Sequence, residues 1–240
     1  RFKRYAELFA AGKNNGFVPR SYPRSDTEFS EKENGYRKRL FELLGIKYLL
    51  DKEDTPKTGK DFNPGKFAPD NVVGHIQLGK FLVYKREGVL PRVFLTTNYQ
   101  VITGDTKIIQ KIFDPNFNLR TIILEKEPPI NLEKSNTEII EPKIIEYEPS
   151  QAVFETNTDH NALLFLSDAY DNNWQAYIDN QQAEVLRAHY ALRAVAIPKG
   201  SHQVKFRYQS LSHTLGLYTT VGSSFLLLLL VFVSAKRKKL

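Results

Sequence analysis

The sequence predicts an α+β fold, mostly β, in which a β-sandwich-like extracytoplasmic domain is preceded by a smaller mixed α/β region and followed by one transmembrane helix. Three observations predict it. Tyr208 to Ala235 carries no Asp, Glu, Lys or Arg. Short β-rich runs with turn signals crowd the stretch from Glu138 to Tyr208, the pattern of a sandwich. Amphipathic helix patterns at 31–45 and at Asp105 to Phe113 fall among further β-rich runs within residues 1–127.

Residues 1–30 carry no clear periodicity, and 14–25 reads as loop. A short helix follows over 31–45. Ser30 caps it with Glu33 three residues on, Leu40, Phe41 and Leu44 form its apolar side, and Gly45 ends it. Ile46–Leu50 reads as a strand, and the Pro-, Gly-, Lys- and Asp-rich run 51–70 as a loop. Ile76–Lys85 reads as β structure turned into a hairpin at Gly79, with further strands at Arg92–Thr97 and Arg120–Glu125. Asp105 caps the helix that carries Ile108, Ile109, Ile112 and Phe113. Residues 128–137, opening on Pro128-Pro129, form a connector. The sandwich then occupies 138–210, with strands at Ile139–Glu148, Ala152–Thr156, Ala162–Ser167, Gln175–Ile178, Ala194–Ile197 and Gln203–Tyr208.

Residues 211–235 are expected to cross a membrane. At ~1.5 Å per residue, the stretch 215–235 spans ~31 Å, close to the ~30 Å hydrocarbon thickness of a bilayer. The cations Lys236, Arg237, Lys238 and Lys239 follow at once, in the tail 236–240. Positive flanks stay on the cytoplasmic side, so the tail is placed inside and the preceding chain outside the cell membrane. A cell-wall sorting signal would need Leu-Pro-x-Thr-Gly just upstream, where this chain has Leu211-Ser212-His213-Thr214-Leu215-Gly216. Gly216, Thr220 and Ser224 recur every fourth residue on one helix face, which suits close packing against other transmembrane helices. The chain has neither Met nor a signal peptide, and so reads as an internal piece of a longer, exported, polytopic protein.

Composition narrows the chemistry. There is no Cys, which excludes disulfides, thiolate metal sites and cysteine nucleophiles. The net charge of +7 is concentrated in the tail and in residues 1–60, with no basic stripe interleaved with aromatics, so nucleic acid is not an expected partner. His75, His160, His189, His202 and His213 are isolated, without metal-ligand spacing, and no nucleophile elbow or phosphate-binding Gly loop is present. No catalytic residue, metal site or cofactor is therefore expected.

The stretch Ala162–Gly216 carries a pattern of its own: Ser167, Tyr170, Trp174, then Ala176-Tyr177 with Asp179, then Arg187, Ala188, Tyr190, Arg193 and Val195, then Pro198, Gly200, His202, Val204, Phe206 and Tyr208. It resembles the carboxy-terminal region of the bacterial YfhO-like membrane proteins. Leu44–Leu50 and Leu90–Phe94 are similar to further family features, and the likeness covers most of 40–235. The chain departs from the family pattern at Asn172-Asn173, where Pro-Gly is usual, and at Asp179-Asn180, where Asp-Gly is usual. Asn tolerates both turns. The resemblance implies a polytopic protein related to glycosyltransferases that take sugar from a polyprenyl-phosphate carrier to modify envelope polymers. It also implies that the catalytic acid belongs to a first extracytoplasmic loop that this sequence does not contain. The implied partners are the bilayer, upstream transmembrane helices of the same protein, and a lipid-linked sugar or envelope polysaccharide.

Two clusters are candidates for ligand binding. Asp168, Tyr170, Asp171 and Trp174 lie in one short run, where carboxylates and aromatics suit a sugar or a divalent ion. The same residues also serve as turn formers, with Trp174 anchoring the sandwich core. Arg187 and Arg193, with His189 and Tyr190, suit a phosphate, or else lie on a strand face and pair with Asp179. Against the glycosyltransferase-accessory reading stand a carbohydrate-binding sandwich on a membrane stalk and a structural lid over upstream helices.

Overall fold

The computed structural model describes residues 3–14, 16–19, 35–52, 72–76, 81–133 and 138–237. In chain order these form α1 (Lys3–Asn14), α2 (Gly35–Leu43), β1 (Tyr48–Lys52), β2 (Val72–Ile76), β3 (Phe81–Lys85), β4 (Val93–Thr96) and β5 (Tyr99–Val101). Then come α3 (Asp105–Phe113), β6 (Ile122–Leu124), β7 (Lys143–Glu148), β8 (Gln151–Thr158), β9 (Ala162–Ala169) and β10 (Trp174–Ile178). The last are β11 (Gln181–Ala183), β12 (Val185–Ala188), β13 (Leu192–Ile197), β14 (Gly200–Tyr208) and α4 (Leu211–Arg237). The fold is mostly β, as the sequence predicts.

The central layer is a six-stranded sheet in the order β4-β9-β13-β12-β6-β5. Its middle strands β9 and β13 are almost wholly buried, because both faces are covered. Along them side chains alternate between two cores. Leu163, Phe165, Ala194 and Ala196 face the helical side, while Leu164, Leu166, Val195 and Ile197 face a second sheet. Burial on both faces explains why Ala162–Leu166 is continuously apolar rather than alternating. The second sheet, β11-β10-β14-β8-β7, supplies Ala152, Phe154, Ala176, Val204 and Phe206 to the shared core. Its other face is wet, so β14 alternates between buried and accessible positions. The predicted sandwich is thus present, with a helical layer added on the far side of the central sheet.

The central sheet takes β4, β5 and β6 from before the 128–137 connector and β9, β12 and β13 from after it. The two regions drawn on either side of the connector therefore share one sheet.

The helical layer holds α1, α2 and α3. The α1 helix was not legible in the sequence; it buries Ala6, Leu8, Ala10 and Ala11. The apolar face of α3 packs as predicted, but its N-cap is Gly104, with no side-chain cap hydrogen bond. Asp105 instead opens the first turn and pairs with Arg4 of α1 at 2.9 Å. The predicted caps Ser30 and Glu33 lie outside the described residues. Gly45 does end α2, at φ +63. Ile46 N–H donates to the Phe41 carbonyl at 2.9 Å and Gly45 N–H to that of Glu42 at 3.1 Å, a Schellman motif. Ile46 then packs against Phe41, Leu49 and Tyr84 beneath the three-stranded sheet β1-β3-β2. In that sheet β2 and β3 pair antiparallel, while the turn expected at Gly79 lies outside the described residues.

The α4 helix begins three residues after the end of β14. The stretch 215–230, whose side chains are described, is exposed throughout, with Leu226 to Leu230 at 48–69%. Its hydroxyls bond back within the helix, Thr220 to the Gly216 carbonyl at 2.8 Å and Ser223 to that of Thr220 at 3.1 Å. Among the described residues no helix is long and apolar enough to cross a membrane; by itself 215–230 falls short of the ~20 residues a span requires.

Candidate functional site

A cleft of about 570 Å³ opens at one end of the sandwich, between the two sheets. Alternation places its walls. Tyr208 continues the inward face of Val204 and Phe206, Trp174 that of Ala176 and Ile178, and Arg193 that of Val195 and Ile197. A register shift between Leu192 and Arg193, where β13 pairs with β9, marks the place where Arg193 enters the cleft. Tyr147 on β7 and Arg92, just ahead of β4, complete it from distant parts of the chain.

Asp168 is the hub. Its Oδ1 accepts from Arg92 Nη2 at 2.8 Å and from Nε at 3.2 Å. Its Oδ2 accepts from the Tyr147 hydroxyl at 2.6 Å and from Arg193 Nη2 at 2.7 Å. A carboxylate has about four acceptor positions, and all are filled. Arg92 Nε is shared, since it also donates to the Tyr147 hydroxyl at 2.8 Å. Arg193 is buried, with 3% of its side chain exposed. Its Nη1 donates to the Ala169 carbonyl at 3.0 Å, and its guanidinium lies 3.9 Å from the Trp174 ring centroid. Burial lowers the Arg193 pKa against the pull of Asp168. Burial also works against the charge of Arg92, but its bonds to Asp168 outweigh this and its pKa rises. Desolvation and the bond to Asp168 push the Tyr147 hydroxyl up to about 12, so it stays a donor.

The cleft unites three of the six residues proposed for ligand binding: Asp168, Trp174 and Arg193. The other three lie elsewhere. Asp171 is buried in the turn before β10, where its Oδ1 accepts from Asn173 N–H at 2.9 Å; it shapes the loop. Tyr170 lies under the Arg187 guanidinium, 4.5 Å from the ring centroid, and Arg187 pairs with Glu125 at 3.6 Å. Neither arginine pairs with Asp179, which bonds His202 at 2.6 Å. His189 and Tyr190 sit at a hairpin tip buried in the helical core, away from Arg193. Desolvation lowers the His189 pKa to about 3, so the ring is neutral. Trp174 is half-buried, with its ring between Arg193 and the edge of Tyr208; it borders the core rather than anchoring it.

Sequence reasoning missed Arg92, Tyr147 and Tyr208 as cleft residues. Tyr208 alone had a readable signal, since it continues the inward face of β14. Among the described residues no group of His, Asp and Glu is arranged to hold a metal ion.

Residues 114–220 match the family model described as bacterial membrane protein YfhO. This part of the chain is a YfhO-like region. It contains Tyr147, Asp168, Trp174, Arg193 and Tyr208, whereas Arg92 enters the cleft from outside it. The YfhO-like region also takes in the junction of β14 with α4. No curated protein and no solved structure matches the chain.

Proposed function

We propose that this chain is an extracytoplasmic domain and a membrane span of a polytopic bacterial membrane protein that transfers sugar from a polyprenyl-phosphate carrier to an envelope polymer. The domain itself is not catalytic; it sits over the membrane-level active site and shapes access for the acceptor. The observation that carries the membrane reading is α4, whose described side chains from 215 to 230 are all exposed. Lipid is the natural cover for such a surface. The uncharged sequence runs on to Ala235, which extends the apolar stretch to the length of a span. The hydroxyls of Thr220 and Ser223, bonded within the helix, suit a setting without water. Small residues at Gly216, Thr220 and Ser224 offer a face to the other helices of the protein.

Sugar transfer follows from the family likeness. The commitment of Asp168 to Arg92, Tyr147 and Arg193 supports a structural role for the central carboxylate of the cleft and so a non-catalytic domain. A carbohydrate platform is less favoured, since Arg193 lies against the Trp174 ring. Protease added to intact spheroplasts should digest residues 1–210 and spare a tag placed after Leu240; loss of the tag would overturn the topology. With a radiolabelled polyprenyl-phosphate sugar, transfer should require the full-length protein. Normal transfer after removal of residues 138–208 from a correctly inserted protein would overturn the gating role.

A further inference from the structure

The cleft is unbalanced in its hydrogen bonds. The carboxylate of Asp168 is full, yet donors remain. Arg92 Nη1 donates to no described residue, and 61% of the Arg92 side chain is exposed. Arg193 Nε is buried without a partner among the described residues. A buried donor left unpaired costs about 1–3 kcal/mol, which an acceptor drawn against Arg193 would offset. Three of the remaining wall residues are aromatic, Tyr147, Trp174 and Tyr208; the others are Glu148, Pro149, Ala152 and Ala169.

The position of the cleft narrows what that acceptor is. Tyr208 lines it, and α4 starts at Leu211. Three extended residues reach about 10 Å. The headgroup zone of a bilayer extends about 5–8 Å beyond the hydrocarbon on each side. With the four helical residues before Leu215, about 6 Å more, the cleft stands no more than about 16 Å from the apolar stretch, at the end of the domain nearest the bilayer. Arg is suited to phosphate, and Trp and Tyr favour the interface.

We infer that the cleft binds the phosphate of a membrane phospholipid, with Arg92 as the principal contact and Arg193 beneath it. This rests on the membrane reading of α4. Glu148 and Asp168 also line the cleft and oppose an anion, so the site takes no more than a single phosphate, with the aromatic residues against the glycerol portion.

The sole Trp of the chain is in the cleft, so its fluorescence reports on this site alone. The full chain in a phosphate-free maltoside detergent is titrated with phosphatidylglycerol, with glucosyl diacylglycerol, and with soluble glycerol phosphate. Phosphatidylglycerol should shift the emission saturably. Glucosyl diacylglycerol should give no shift, and glycerol phosphate should bind at least about tenfold more weakly, lacking the tethering bilayer-like phase. Loss of the charge-assisted bond in Arg92→Gln should weaken the response about tenfold. Glu148→Gln, which removes an opposing charge from the cleft, should strengthen it. An equal response to the glycolipid, or full binding by Arg92→Gln, would overturn the phosphate site. Equal binding of glycerol phosphate would overturn the lipid as its source. Co-flotation of the chain with liposomes separates the two readings: without it the membrane assignment of α4 fails, whereas co-flotation with a silent Trp174 removes only the site.

Discussion

At the scale of single residues, Asp168 and Asp179 show how a carboxylate's partners decide its role. Asp168 neutralises a buried guanidinium. Asp168→Asn would leave Arg193 charged and unpaired beneath Trp174, and breaking a buried pair costs about 3–5 kcal/mol. Because 16% of the Asp168 side chain is exposed, a loss near 3 kcal/mol is expected, read from thermal unfolding of the detergent-solubilised chain. Asp179 sits at the surface, where it joins the β10–β11 turn to His202 on β14 at 2.6 Å. Its hydrogen bond to His202 lowers the Asp179 pKa, and the same bond raises that of His202. A raised histidine contributes stability that is fully present below its ordinary 6.5 and is lost as pH rises through the higher folded value. A depressed carboxylate contributes above its ordinary 3.8 and loses that contribution as pH falls through its lower folded value. The melting-temperature gap between the native chain and Asp179→Asn should therefore be widest between those two ordinary values and narrow on the alkaline side. The turn tolerates the test substitution, since Asp179 and Asn180 hold φ of +49 and +69, a conformation that Asn accepts.

At the scale of elements, α1 and α2 are joined through a glycine. A Cβ built on Gly12 would come within 2.6 Å of Leu40 Cδ2 and 3.2 Å of Leu40 Cβ. Alanine would add about 1 kcal/mol of helix propensity. Leu40 is fully buried and cannot swing away, and overpacking costs about 1–3 kcal/mol. Gly12→Ala should thus lower stability by about 1 kcal/mol in denaturant unfolding, despite the better helix former. Nothing in the sequence marked this contact. Elements with a strong local pattern were legible: α3 from its isoleucines, β14 from its alternation, and the Gly45 stop of α2 from one residue type. The α1 helix was not, because its buried positions are largely Ala and Gly, which carry little hydrophobic signal. The cleft was half legible for a related reason. Asp168 and Trp174 are close in sequence, whereas Arg92 and Tyr147 reach the same point only through strand pairing across 76 and 21 residues from Asp168.

At the scale of the whole molecule, the mixture of near and remote contacts fixes how the layers hold together. The central sheet cannot be completed by either side of the 128–137 connector alone. The β12–β13 hairpin shows this most sharply. Its tip holds two non-glycine residues at positive φ, His189 at +42 and Tyr190 at +75. The Tyr190 hydroxyl donates to Glu7 on α1 at 2.6 Å, and the Arg4 guanidinium lies 4.9 Å from the Tyr190 ring centroid. The first described helix therefore closes over a strand turn made 183 residues later. During synthesis, this helix must wait without its partner until almost the whole domain has emerged. Contacts so far apart along the chain form late, and the waiting segment is open to proteases and holding chaperones in the interval. Chains ending before residue 185 should be cut readily at Lys13, whereas the complete chain should resist cleavage there. Equal resistance in the shortened chains would show that the helix finds its place without the hairpin. The order of translation thereby becomes a quality check: the amino-terminal cap locks only on a domain whose carboxy-terminal half has already arrived.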